Sequence, residues 1–144
     1  MTRVDFYLLT ADAAAKPLLA CRLADKAFRL GHQSYILTVD SEEAQRLDKL
    51  LWTFSQGSFV PHGLYDGAAG SVAAPAYPVT IGCLEPPLAC HDVLISLMPE
   101  VPGWFGRFAR VVELVGNEEQ DKARARERFR FYRERGYPLE THDI

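Results

Sequence analysis

The stretch DVLISLMPEVPGWFGRFARVVELVGNEEQDKARARERFRFYRERGYP, residues 92–138, decides the fold. Within it, Asp92-Val93-Leu94-Ile95-Ser96-Leu97 is a short, nearly continuous apolar run, and Val111-Val112-Glu113-Leu114-Val115 is a second. Runs of that length, rich in β-branched residues, read as core strands. Pro99, Pro102 and Gly103 break the first run, because proline cannot donate to a strand ladder. After the second run the pattern turns helical. Asn117 stands where a cap belongs, Glu118, Glu119 and Asp121 occupy the first turn, and Arg133 and Arg135 the last. That order of charge suits the helix dipole. Gly136 and Pro138 then stop the helix.

The same alternation continues upstream. Val4-Asp5-Phe6-Tyr7-Leu8-Leu9 reads as a buried strand. Pro17 suits the first turn of a helix, along which Leu19, Leu23, Ala27 and Leu30 recur at helical spacing before Gly31 ends it. Tyr35-Ile36-Leu37-Thr38-Val39 is the next strand, and Asp40 with Glu43 forms a capping pair for a helix carrying Ala44, Leu47, Leu50 and Leu51 and ending near Trp52. Residues 55–78 read as a loop longer than an ordinary connection. Val79-Thr80-Ile81 is a short strand candidate. Strands alternating with helices predict an α/β fold, mostly a parallel sheet with helices on both faces. No repeat or linker marks a boundary, so residues 1–144 are expected to form a single domain.

Composition narrows the function classes. The apolar runs fall well short of the roughly 20 residues that cross a bilayer, and the early acids of MTRVDFYLLTAD do not suit a signal peptide. Cys21, Cys83 and Cys90 are odd in number and unpaired in spacing, which fits a reduced, cytoplasmic protein. Neither CxxC nor HxxxH spacing is present, so no metal is expected. Net charge is −3, which gives no general reason for nucleic-acid binding. The distribution is uneven, however. Residues 122–135 hold seven Lys or Arg and two acids, a segment charge of +5 that leaves −8 on the remainder. A concentrated basic patch on an acidic chain points to a local anionic partner.

A catalytic reading finds little support. The first strand leads into Thr10-Ala-Asp-Ala-Ala-Ala-Lys16, with neither GxGxxG nor GxxxxGK[ST] to cradle phosphates. Gly67 and Gly70 lack a partnering lysine and read as turn residues, and no GxSxG elbow occurs. His62 belongs to no recognisable nucleophile motif, and Cys90 and His91, adjacent on an extended segment, point to opposite sides. Asp5 and Asp92, both at strand starts, leave a carboxylate pair open. The alternative class is therefore a small nucleotide-binding or hydrolytic enzyme, with no cofactor indicated.

The last helix carries the sharper signal. Arg126, Phe129, Arg130 and Arg133 have the i, i+3, i+4, i+7 spacing of one helical face, and Tyr137 follows. One reading is a solvated basic face with Phe129 turned inward. Another is a pocket for an acidic ligand with an apolar end, since arginine pairs carboxylates bidentately and stacks on rings. Direct nucleic-acid binding is a third, weakened by the single patch and the net negative charge.

Five blocks carry a family resemblance: Asp5-Phe6-Tyr7-Leu8-Leu9; Leu47-Asp48-x-x-Leu51-Trp52; Ser58-Phe59-Val60-Pro61-His62; Asp92-Val93-Leu94-Ile95-Ser96-Leu97; and Ala125-Arg126-Glu127-Arg128-Phe129-Arg130-x-Tyr132-Arg133-x-x-Gly136-Tyr137. In order and spacing the chain resembles the chi subunit of bacterial DNA polymerase III. The resemblance implies a single α/β domain with nucleotide-binding-like topology but no phosphate loop, and no intrinsic enzymatic activity. It implies an adaptor with two protein-binding surfaces. One takes the acidic C-terminal tail of single-stranded DNA-binding protein; carried over by position, it comprises Arg126, Phe129, Arg130, Arg133, Val115 and Tyr137. The other, at Trp52 and Phe59, takes the psi subunit of the clamp loader or, alternatively, a repair helicase. Nucleic acid would be met only indirectly, and no membrane is implied.

Overall fold

The computed structural model describes residues 2–10, 13–55, 59–65, 67 and 77–143. Among these residues the strands are β1 (Arg3–Leu8), β2 (Ser34–Leu37), β3 (His62–Leu64), β4 (Val79–Gly82), β5 (Val93–Ser96), β6 (Arg110–Val115) and β7 (Leu139–Asp143). The helices are α1 (Lys16–Arg29), α2 (Ser41–Thr53) and α3 (Glu119–Glu134). The strands form one sheet in the order β3-β4-β2-β5-β6-β1-β7, and every pairing is parallel. The α/β fold with a parallel sheet is thus as the sequence predicts.

Strand alternation divides the core in two. Val4 and Phe6 of β1, Leu94 of β5, and Val111 and Val115 of β6 pack on the α3 side. Ile36 of β2, Val93 and Ile95 of β5, and Val112 and Leu114 of β6 pack on the other side, with Leu19, Ala20 and Ala24 of α1 and Ala44, Leu47 and Leu51 of α2. Successive residues of a strand face opposite ways, so a run apolar throughout must be covered on both faces. Asp40 caps α2 by accepting the Glu43 amide, while the Glu43 carboxylate accepts the Val39 amide. Gly31 ends α1 at φ +84°, a left-handed conformation that other residues rarely adopt.

Three expectations are corrected. The 55–78 stretch contains β3, a strand too short to announce itself in sequence. The chain after Pro138 forms β7, parallel to β1, where the sequence showed only a helix stop. Asn117 does not cap α3: its side-chain amide donates to the Thr10 carbonyl at 2.7 Å, and Glu118 holds the cap position without a side-chain bond. Residue 58 and the 68–76 part of the loop, with Gly70, lie outside the described residues.

α3 meets the sheet through a polar contact as well as an apolar one. Glu113 of β6 is fully buried; Arg128 Nε donates to its Oε1 at 3.0 Å and the Tyr132 hydroxyl to its Oε2 at 2.8 Å. Burial pushes the Glu113 carboxyl upward, against the pull of Arg128 and Tyr132, and the same burial beside a carboxylate raises the Tyr132 phenol.

On the opposite face, Asp5 is also fully buried. Arg110 Nε lies 2.7 Å from its Oδ2, His142 Nε2 lies 2.9 Å from its Oδ1, and the Tyr7 ring stacks on His142 at 4.6 Å. Burial alone would raise the Asp5 carboxyl, but hydrogen bonds from His142 and Arg110 and the charges of Arg110 and Arg3 outweigh it and hold Asp5 below its ordinary value. A depressed carboxyl stabilises the fold above its unfolded value of about 3.9 and loses that contribution as pH falls through the lower folded value. Asp5→Asn is therefore expected to destabilise the protein at pH 7 by about 1–3 kcal/mol. In urea titrations the gap from wild type should close as pH drops from 5 towards 2. A gap unchanged at pH 2 would place the effect in packing rather than in charge.

Candidate functional site

β1 connects through α1 to β2, while its sheet neighbour β6 connects through α3 to β7, on the far side of β1. Two right-handed crossovers that leave adjacent strands in opposite directions put their helices on opposite faces. The region beyond the carboxyl ends of strands so connected is where α/β sheets take ligands. A cleft of about 280 Å³ lies there. Phe6, Leu8 and Val115 floor it; Lys122, Ala125, Arg126 and Phe129 of α3 form one wall; Thr141 of β7 forms part of the other. The lining is mostly apolar, with two cations one helical turn apart at the rim. Among the described residues neither Lys122 nor Arg126 has an ion-pair partner.

The start of α3 meets an anion from the protein itself. The Gly116 amide donates to the Asp121 carboxylate, and Lys16 Nζ reaches the same carboxylate at 2.7 Å. With Asn117 bound to Thr10, these contacts tie the loop after β1 to the loop after β6. Asp121 thereby supplies the anion that a helix N-terminus favours. The open cations lie further along α3.

The residues expected from sequence are distributed unevenly. Val115, Arg126 and Phe129 meet in the cleft. The Phe129 ring packs edge-on against Phe6 at 5.4 Å, and the Arg133 guanidinium lies 6.0 Å from its centroid. Arg130 is exposed beside the cleft, 3.6 Å from Glu127. Tyr137 lies elsewhere, packed edge-on against Phe105 at 5.1 Å and Tyr132 at 6.4 Å. Sequence reasoning missed Lys122 and Thr141. Lys122 is four residues before Arg126, so the helical repeat could have found it, whereas Thr141 sits on the strand that was not foreseen.

A second cluster lies at the opposite edge of the sheet. Trp52, at the end of α2, is 52% exposed and Phe59 is 65% exposed, with ring centroids 5.5 Å apart. His62 supports Trp52 from beneath at 4.4 Å. Its Nδ1 lies 2.7 Å from the Val60 carbonyl and its Nε2 2.9 Å from that of Asp48, which fixes the ring between α2 and β3. Leu64 extends the exposed apolar surface along the edge strand.

The other candidates do not assemble into a site. Asp5 engages Arg110 and His142, while Asp92 accepts the Gln33 amide and contacts His32, so the two carboxylates have separate partners. Asp5, Glu140 and His142 are close enough to hold an ion, but Arg110 and Arg3 already balance the two carboxylates. Cys90 is buried and His91 exposed, on opposite sides of the chain; burial raises the Cys90 thiol, and pushes that of Cys21 up to about 12. Among the described residues no helix is long and apolar enough to cross a membrane.

Known proteins share this sequence along nearly its whole length. Residues 1–140 match the family model described as DNA polymerase III chi subunit, HolC. The chain is 46% identical over 145 residues to DNA polymerase III subunit chi of Pseudomonas aeruginosa, covering 100% of this chain and 98% of the relative. It is 35% identical over 147 residues to the Escherichia coli subunit chi, covering 98% and 97%. With the Haemophilus influenzae subunit chi it shares 30% over 142 residues, covering 97% and 96%. The chain belongs to the DNA polymerase III chi subunit family.

Proposed function

We propose that this chain is a non-catalytic accessory subunit of the cytoplasmic DNA replicase, an adaptor that grips the acidic C-terminal tail of single-stranded DNA-binding protein. The observation that carries the reading is the pairing of an apolar cleft with Lys122 and Arg126 at its rim, neither ion-paired among the described residues. An acidic peptide ending in an apolar side chain and a free carboxylate matches both halves: the side chain enters the slot and the charges meet the cations. Arg130 and Arg133 continue the basic surface outward for earlier acidic residues of the tail. The exposed Trp52–Phe59 pair is assigned to psi or a repair helicase, because clustered aromatic anchors dominate protein interfaces. Placing the two surfaces at opposite sheet edges lets both partners bind at once. A nucleotide-binding or hydrolytic enzyme is the rival reading; the loop after β1, with neither GxGxxG nor GxxxxGK[ST], speaks against it.

Tail binding is tested by titrating a fluorescently labelled acidic peptide. Arg126→Ala is expected to weaken binding about tenfold or more, the loss of a charge-assisted hydrogen bond. Arg124→Ala, off the cleft, should change little. Binding should also weaken with salt, because exposed charges are screened over about 8–10 Å. Equal losses for the two variants would mean a diffuse basic patch, and full binding by a peptide without its last residue would exclude the slot.

The second surface makes an independent prediction. Phe59→Ala should weaken binding of psi or of the helicase by about 2 kcal/mol or more while leaving the tail peptide unaffected. Pull-down and calorimetry with each partner check this. Unchanged affinity for both partners would remove Phe59 from the interface.

A further inference from the structure

We infer that the buried cluster of Glu113, Arg128 and Tyr132 is the register lock of α3: it positions Arg126 and Phe129 at the cleft and so sets the affinity of the site, while adding little net stability. The inference rests on the proposed reading of the cleft for its binding consequence, but its structural part stands alone.

The sequence of α3 leaves its rotation poorly specified by apolar contacts. Basic residues occupy 122, 124, 126, 128 and 130, alternate positions of one run. The apolar residues facing the sheet are few: Ala125, Phe129 and Tyr132, with Phe131 at the margin. Turning the helix by one residue, about 100°, would put Glu127 or Phe129 where Arg128 stands, and by two residues another arginine. What distinguishes Arg128 is Tyr132 one turn later on the same face. Both reach the single carboxylate of Glu113, each taking one oxygen. Arg128 also donates from Nη1 to the Pro99 carbonyl at 2.9 Å, so it ties α3 to the segment after β5 as well as to β6.

Glu113 is 0% exposed and Arg128 4%. Removing such a pair from water costs about as much as its attraction returns, and apolar side chains of similar size often hold a helix as firmly. A buried charge pair is more discriminating, because a slipped helix strands an unpaired carboxylate in the core. The lock acts directly on the cleft. Phe6, opposite Glu113 in the β1–β6 pairing, touches Phe129 at 5.4 Å and Tyr132 at 6.1 Å, so rotation of α3 moves the Phe129 ring and the Arg126 one turn before it together.

The test is a triple variant, Glu113→Leu, Arg128→Met and Tyr132→Phe, compared with wild type in thermal melting, amide hydrogen exchange and titration of an acidic peptide with a free C-terminal carboxylate. The expected result is a melting temperature at or above that of wild type, faster exchange confined to α3, and affinity lower by about tenfold, the equivalent of one charge-assisted hydrogen bond. Retained α3 protection with affinity within about twofold of wild type would overturn the inference. Should the triple variant fail to fold, Tyr132→Phe decides, because it removes one hydroxyl. It should speed exchange in α3 selectively and weaken the peptide, and behaviour identical to wild type would overturn the lock. If wild-type protein ignores the peptide, the proposed reading of the cleft fails, and the exchange measurements still decide the lock.

Discussion

The structure depends on the opposite directions in which the chain leaves β1 and β6. Adjacent parallel strands whose connections leave in opposite directions send their helices to opposite faces. Everything used at the cleft follows from that constraint. α1 is sent to one face and α3 to the other, β7 is laid outside β1, and an apolar slot is left between Leu8, Val115 and the wall of α3. Asp121 accepts the Gly116 amide and Lys16 neutralises it, so among the described residues the open charge of Lys122 and Arg126 lies further along the helix, towards the apolar slot. In the proposed reading the site takes a peptide that brings carboxylates and an apolar end together.

The two surfaces differ in how they are held. The Trp52–Phe59 pair stands on a histidine ring fixed by two carbonyls, within a short chain segment joining α2 to β3. The cleft depends on how a strongly basic helix docks on a sheet, and that docking is set by one buried carboxylate. The first arrangement is local and depends on few neighbours. The second is non-local, since Glu113 and Arg128 lie on different elements and Pro99 on a third segment. The cleft is accordingly the more sensitive of the two to changes in the core.

Much of the fold was legible in the sequence because its main strands are apolar on both faces and its helices carry ordinary start and stop signals. β3 and β7 were not. His62-Gly63-Leu64 is three residues long and sits in a glycine-rich stretch, and Leu139–Asp143 is an edge strand whose Glu140, His142 and Asp143 look like a polar tail. Edge strands need only half a row of backbone partners and one covered face, so they carry little apolar signal. The helical repeat brought out Arg126 and Phe129, and the resemblance added Val115. Tyr137 was misplaced relative to the cleft because the chain turns at Gly136, φ +80°, and its ring falls back on Phe105. Periodicity along a helix says nothing about residues beyond its end.

The central claim is that the crevice beyond β1 and β6 holds an acidic, apolar-ended peptide. The most direct measurement is a backbone amide shift map of isotope-labelled protein titrated with such a peptide bearing a free C-terminal carboxylate. The account predicts that the perturbed amides cluster at Leu8, Val115, Gly116, Lys122, Arg126, Phe129 and Thr141, while Trp52 and Phe59 stay unmoved. Perturbations spread along the outer face of α3 at Arg124, Glu127 and Arg135, or centred on Trp52 and Phe59, would contradict it.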